Sequence, residues 1–389
     1  MRVDREQQWP QTIRVARYGD SAGNVAWAEA EAAGIPLIDL EIRDADAPLS
    51  ERGGIQSRAP RLRRSRTRLW DRSEFERRAR KRPSTTMTDP TLITRDLLRR
   101  WPLPGIDVGG NKENRGRALV VGGSPEMPGA AILAGTAALR AGAGRLRIAA
   151  GQSIALLLGA AIPEGRVYGM PETAAGGLDP SCAERIIELA NSAQAVLIGP
   201  GMLDEPSLAQ LLKAIIPSLR RPLILDAAAF SVIHDDVRAL HDLSSGALIT
   251  PHAGEMAHIR GCDRDQVTRD CAAAAQAGAD ELRAVVVLKG HETVITAPGE
   301  RIYVNRAGNL GLATAGSGDS LAGIIAGLAA RGAGLLQAAV WGVYLHACAG
   351  DRLAQRVGGI GFLAREIAGE VPALIAEIEG GRSARHPGS

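Results

Sequence analysis

From Thr94 onward, short apolar runs alternate with longer stretches in which apolar residues recur at helical spacing. The short runs, residues 118–121, 146–149, 195–198, 222–225, 247–249 and 285–288, have strand length and are mostly aliphatic, which suits buried strands. Helices are predicted over residues 95–100, 129–140, 206–216, 266–277, 335–352 and 364–379. Residues 294–296 and 301–304 predict a hairpin around Pro298-Gly299. Near-continuous apolar strands alternating with helices imply a parallel sheet covered on both faces. The expected fold class is therefore α/β, a three-layer α/β/α sandwich over a mostly parallel central sheet. No internal repeat is visible.

The turns after these strands carry polar residues and glycines: Gly122-Gly123-Ser124, Gly199-Pro200-Gly201, Asp226, Pro251-His252-Ala253-Gly254-Glu255 and Lys289-Gly290-His291-Glu292-Thr293. In open parallel sheets, ligands bind outside the carboxyl ends of the strands. Glycines, one lysine, one histidine and three acids on that edge suit the handling of phosphate. Lys289 supplies a point charge. His252 is either a donor to a ligand or a solvent-facing loop residue. His252 and His258 lack a third ligand at a fitting spacing, which argues against zinc.

Residues 305–332 hold the strongest single signal. A turn-rich loop leads through Gly311 to Ala315-Gly316-Ser317-Gly318-Asp319, and a helix is expected from Ser320, stopped at Arg331-Gly332. A glycine-rich turn opening a helix leaves amides unpaired, and with the helix dipole they form an anion seat. A carboxylate at such a seat repels the anion unless it has another task. Asp319 suits three roles: taking a proton from an attacking hydroxyl, helping to hold magnesium, or merely capping the helix.

Composition adds bounds. The chain has 389 residues, 46 glycines and 3% aromatics, which suits an α/β enzyme with tight turns. No apolar run is long enough to span a membrane, and the start has no signal-peptide core. Cys182, Cys262, Cys271 and Cys348 form no CxxC pair, so a cytoplasmic compartment with reduced thiols is expected. Residues 1–86 hold 18 basic and 13 acidic side chains, leaving 28 and 30 for residues 87–389. The basic excess thus belongs to the N-terminal segment. It reads as a disordered leader, or as sequence upstream of a natural start at Met87, rather than as an arm for nucleic acid. The domain expected to fold spans residues 87–389.

The sequence GSGD followed by a small-residue helix resembles the anion hole and base of the ribokinase-like kinases. Asn111-Lys112 with Gly116, VVGGS (120–124), GAAILAGTAALRAGAG (129–144), IGPG (198–201), TPHAGEM (250–256), VVLKGHETVI (286–295) and GNLGLATAGSGDSLAG (308–323) occur in one order. As a set they resemble the ADP-dependent NAD(P)H-hydrate dehydratase family over residues 90–380. That resemblance implies repair of hydrated NADH and NADPH, with magnesium as cofactor and ADP donating the phosphoryl group. Asp319 would act as base, with Gly316, Ser317 and Gly318 forming the anion hole. Ala131, Gly201, His252 and Asp319 would line the hydrate pocket. Lys289, Gly290, His291, Glu292, Thr293 and Gly318 would contact the adenine nucleotide. It also implies a homo-oligomer, a tetramer by resemblance, and a separate NAD(P)H-hydrate epimerase, since residues 1–86 are too short for one. Two departures stand out: the motif L-D-A-D-A-L-N of relatives is here Leu225-Asp226-Ala227-Ala228-Ala229-Phe230-Ser231, and the proline after the histidine is Ala253. A small-alcohol kinase of the same superfamily and a non-catalytic nucleotide sensor are the competing readings.

Overall fold

The structure, a computed structural model, describes residues 89–105, 115–203 and 205–380. The readings made for residues 1–86, for Met87 and for Asn111-Lys112 lie outside these described residues. Ten strands form one sheet: β1 (Thr91–Leu92), β2 (Arg117–Val121), β3 (Arg145–Gly151), β4 (Gly165–Met170), β5 (Ala195–Ile198), β6 (Leu223–Leu225), β7 (Ala247–Ile249), β8 (Val285–Leu288), β9 (Thr293–Thr296) and β10 (Tyr303–Asn305). Their order is β1-β10-β9-β8-β7-β6-β5-β2-β3-β4. The pairs β8–β9 and β9–β10 are antiparallel and the rest are parallel. The expected sandwich and hairpin are both present.

The helices are α1 (Arg95–Arg100), α2 (Pro128–Arg140), α3 (Gln152–Ala161), α4 (Ala183–Asn191), α5 (Glu205–Ile215), α6 (Ser231–Asp235), α7 (Ala253–Arg260), α8 (Arg264–Arg269), α9 (Cys271–Leu282), α10 (Ser317–Ala330), α11 (Leu335–Arg356) and α12 (Ala364–Ile378). Alternate residues of each central strand enter different cores. Ala118 and Val120 of β2 join α2, α3, α10, α11 and α12 on one face, while Leu119 and Val121 join α4, α5, α7 and α9 on the other. That double burial is why these strands read as continuous apolar runs.

Three differences from the sequence reading have physical causes. The helix expected over 266–277 is two helices, broken at Asp270, whose extended backbone ends α8 while its carboxylate accepts from the Ala273 amide at 2.9 Å and starts α9. The segment α3 and β4 went unread, because its apolar run 154–162 fits neither period cleanly. The helix α10 begins at Ser317, not Ser320. Among the described residues, no helix is long and apolar enough to cross a membrane.

The chain turns back between β5 and β2, which is the topological switch point of the sheet. Gly123 donates its amide to the Pro200 carbonyl at 2.7 Å, tying the two strand-end loops together. Behind them, α10 packs on α2 with almost no side chain between. A Cβ on Gly323 would lie 2.2 Å from the Ala134 oxygen, and one on Gly327 would lie 2.3 Å from the Ala138 oxygen. Backbone oxygens cannot move aside, so these glycines set the helix spacing. Gly327→Ala is expected to destabilise the protein by about 2–3 kcal/mol through overpacking, read from urea denaturation. An unchanged midpoint would show that the two helices part without cost.

Candidate active site

Gly316 opens α10 in the left-handed region, at φ +86°, with no side-chain cap. A Cβ there would stand 2.4 Å from Leu133 Cδ1, so glycine is required by conformation and by space. The amide of Ser317 donates to Thr314 O at 3.2 Å and that of Ser320 to Gly316 O at 3.1 Å. The amides of Gly318 and Asp319 have no acceptor among the described residues. The open seat therefore includes these two amides, the second of them one residue beyond the Gly316–Gly318 stretch suggested by sequence. Because Gly316 is the cap, Asp319 lies in the first turn, and the capping role is excluded for it.

Asp319 shares this place with a cluster of charges. Lys289, at the end of β8, puts its Nζ 3.4 Å from Asp226 Oδ1 and 3.9 Å from Glu255 Oε2. The same Nζ lies 3.6 Å from where a Cβ on Gly318 would sit, so the ammonium stands at the mouth of α10. Asp226 is 3% exposed and also accepts a hydrogen bond from the Thr250 hydroxyl. Burial, then the Asp226 charge, push the Asp319 carboxyl up to about 6, with Lys289 opposing. A carboxyl so placed is a base whose working range reaches neutral pH.

The remaining expected residues fall around this cluster. Lys289 donates its amide to Pro251 O at 2.8 Å, so the 250–255 loop and Lys289 lie side by side. His252 caps α7 in a reciprocal box: the Glu255 amide donates to His252 Nδ1 at 3.1 Å, and the His252 amide donates to Glu255 Oε2 at 2.7 Å. Its ring is 60% exposed, Nδ1 is committed as an acceptor, and Nε2, the nitrogen left to donate, lies 3.6 Å from Glu255 Oε1. Gly290, His291 and Glu292 form the turn into β9, which Thr293 begins. His291 is exposed, and Glu292 pairs with Arg306 at 2.7 Å. Gly201 is left-handed, and a Cβ on it would lie 2.6 Å from Met127 O, so its loop rests on the start of α2. Ala131, in the first turn of α2, is fully buried, with its Cβ 3.2 Å from where a Cβ on Gly123 would sit.

Two contributions escaped sequence reasoning. Asp226 was visible as a strand-end acid, but its ties to Thr250 and Lys289 join residues far apart in the chain. From α11, His346 and Asp351 reach the loop and first turn of the seat. His346 Nε2 is 3.0 Å from Ser317 Oγ, and Asp351 accepts from the Gly308 amide and Asn309 Nδ2 at 3.0 Å each. Nothing in the sequence near either residue pointed to the seat, since both sit in a long helix far from it along the chain.

The sequence profile of the NAD(P)H-hydrate dehydratase family matches residues 118–373. An ADP-dependent (S)-NAD(P)H-hydrate dehydratase of Xanthomonas campestris is 45% identical over 298 residues, covering 76% of this chain and 100% of that one. A crystal structure of the ADP/ATP-dependent NAD(P)H-hydrate dehydratase of Bacillus subtilis, co-crystallised with ATP and Mg2+, superposes with a TM-score of 0.66 at 29% identity. That superposition covers 75% of this chain and 100% of the other. A ribokinase-like superfamily protein of Enterococcus faecalis superposes with a TM-score of 0.65 at 25% identity, covering 76% and 99%.

The raised Asp319 carboxyl has a stability consequence with a definite sign. The folded chain holds this proton more tightly than the unfolded chain, so ionising Asp319 costs stability above about pH 6. The cost fades as pH falls from about 6 to the ordinary carboxylate value near 3.8. Asp319→Asn is expected to be more stable than the parent at pH 8, by about 1–2 kcal/mol after solvent screening, with the gap roughly halved at pH 5 and closed by about pH 4. Thermal melts across that range check this, and a mutant less stable at pH 8 would contradict the strained carboxylate.

Proposed function

Because the chain belongs to the NAD(P)H-hydrate dehydratase family, we propose that it restores hydrated NADH and NADPH to the reduced cofactors, using ADP. One observation carries this reading: a carboxyl raised to about 6 stands in the same helical turn as two amides that lack a protein acceptor. A base beside an anion seat serves phosphoryl transfer to a hydroxyl.

Asp319 takes the proton of the ring hydroxyl as its oxygen attacks the terminal phosphorus of ADP. The bond from that phosphorus to the bridging oxygen breaks, and AMP leaves. The Gly318 and Asp319 amides hold the charge on the transferred group, and Lys289 neutralises the phosphate oxygens. The ring phosphate then leaves with its C–O electrons while the neighbouring ring carbon loses a proton, which restores the double bond. His252 and the loop at Gly201 would face the hydrate, with the buried Ala131 backing that loop from the start of α2, and Lys289 to Thr293 would face the nucleotide. The substrate is the S-epimer of the hydrate.

Magnesium fits here, since Asp226 and Asp319 are close enough for one charge to shift the other and offer hard oxygen ligands. Asp226 and Asp319 would hold it, and with ADP bound it would offset the charge of the phosphate oxygens. A separate epimerase would supply the S-form from the R-form, and the enzyme is read as a cytoplasmic tetramer.

Purified hydrate, incubated with ADP or ATP, is expected to regain the absorbance of reduced nicotinamide, faster with ADP. Asp319→Ala is expected to lower turnover by roughly 10²- to 10⁴-fold, the usual worth of a general base. Equal rates in the two proteins would remove Asp319 from the mechanism. A phosphorylated alcohol accumulating without AMP-linked repair would favour a kinase instead.

A further inference from the structure

His346 lies in the middle of α11, against the first residue of α10. Its Nε2 is 3.1 Å from the Ser317 carbonyl oxygen and 3.0 Å from Ser317 Oγ. A carbonyl can only accept, so the tautomer that satisfies it carries the proton on Nε2, with the hydroxyl as second acceptor. The ring is neutral across the working range, because desolvation holds it down to about 4, with the Ser317 contact raising it and Lys289 lowering it.

The Ser317 carbonyl and the Gly318 amide belong to one peptide unit. The described chain has no cis peptide, so the carbonyl and the amide hydrogen of that unit point in opposite directions. The carbonyl faces His346. The amide hydrogen is one of the two that no protein group takes. A donor fixed on the oxygen does two things to such a unit. It fixes the peptide plane, and it polarises the N–H, since hydrogen bonds in series strengthen one another by about 10–30%. Both residues lie in the first turn of α10, so helix geometry already holds the unit, and the His346 donor adds to that hold and to the polarisation.

We propose that His346 is a positioning residue that fixes and polarises the Ser317–Gly318 peptide, so that the Gly318 amide is presented to the transferred phosphoryl group. The inference rests on the dehydratase reading only for its turnover assay. His346 touches neither substrate nor nucleotide in this role; it acts through the peptide. Removing it leaves ground-state binding largely intact and weakens a contact that grows as charge develops.

Two variants of similar length separate this role from simple packing. His346→Gln keeps an N–H donor at the same reach, and His346→Met fills the space without one. The expected result is a kcat about 10- to 100-fold lower for the Met variant, with the hydrate KM within about threefold, and a Gln variant within about fivefold of the parent. Amide hydrogen exchange over residues 313–322, read on protein without substrate, is expected to be about tenfold faster in the Met variant only. Gln and Met variants that behave alike, or a loss carried wholly by KM, would overturn the proposal. If the parent itself fails to repair the hydrate, the dehydratase reading falls, while the exchange comparison still decides the role of His346.

Discussion

One ammonium faces three carboxylates, and the chemistry of this fold follows from how that single charge is divided. Lys289 is 3.4 Å from Asp226 and 3.9 Å from Glu255. Both acids are held by other contacts: Asp226 by the Thr250 hydroxyl, Glu255 by the His252 amide. Lys289 is thus pinned on the side of the fixed acids. Asp319, the third, feels its attraction but not enough to offset burial and the repulsion of Asp226. A base is useful when its affinity for protons lies near the working pH. Had the lysine been committed to Asp319, the carboxylate would be a weak base; had Asp226 been absent, it would be weaker still.

The same cluster explains why the anion seat needs help to fill. Two open amides and a helix dipole attract phosphate, yet three acids within reach of one lysine repel it. The protein leaves a net negative place for an anionic nucleotide, which is the setting in which a divalent cation contributes most. Geometry adds to this. Gly323 and Gly327 let α10 lie close against α2, and α2 starts beside the switch point between β5 and β2. Backbone contact between the two helices therefore puts the amides of the first turn of α10 over the crevice where the sheet collects its loops.

Much of this was legible beforehand because it is local. The strands showed as apolar runs since both faces are buried, and Gly316 to Asp319 showed since a helix start has its own grammar. What stayed hidden depends on distance. The start of α10 was placed at Ser320 because Ser317 and Gly318 carry no helical apolar signal; the left-handed Gly316 decides it. Asp226 joins Lys289 across 63 residues and Thr250 across 24. His346 gave no local sign of a role, and only the packing of α11 on α10 gives it a partner 29 residues away.

The loop after β6 departs from the motif that the family resemblance leads one to expect, with Ala228 and Ser231 in place of a second acid and an amide. Ser231 is buried and its hydroxyl finds no partner among the described residues. Asp226 nevertheless keeps its position, for reasons that lie outside the changed residues. Ala227 adopts a left-handed φ of +51°, turning the chain sharply after the acid. The Asp226 carbonyl then passes so close to Gly199 that a Cβ there would sit 1.7 Å from it. The acid is located by the Ala227 turn, by the Gly199 backbone and by Thr250, not by the side chains at 228 and 231. A carboxylate fixed in that way adds to burial in raising the proton affinity of Asp319, whether or not the rest of the loop contributes to binding.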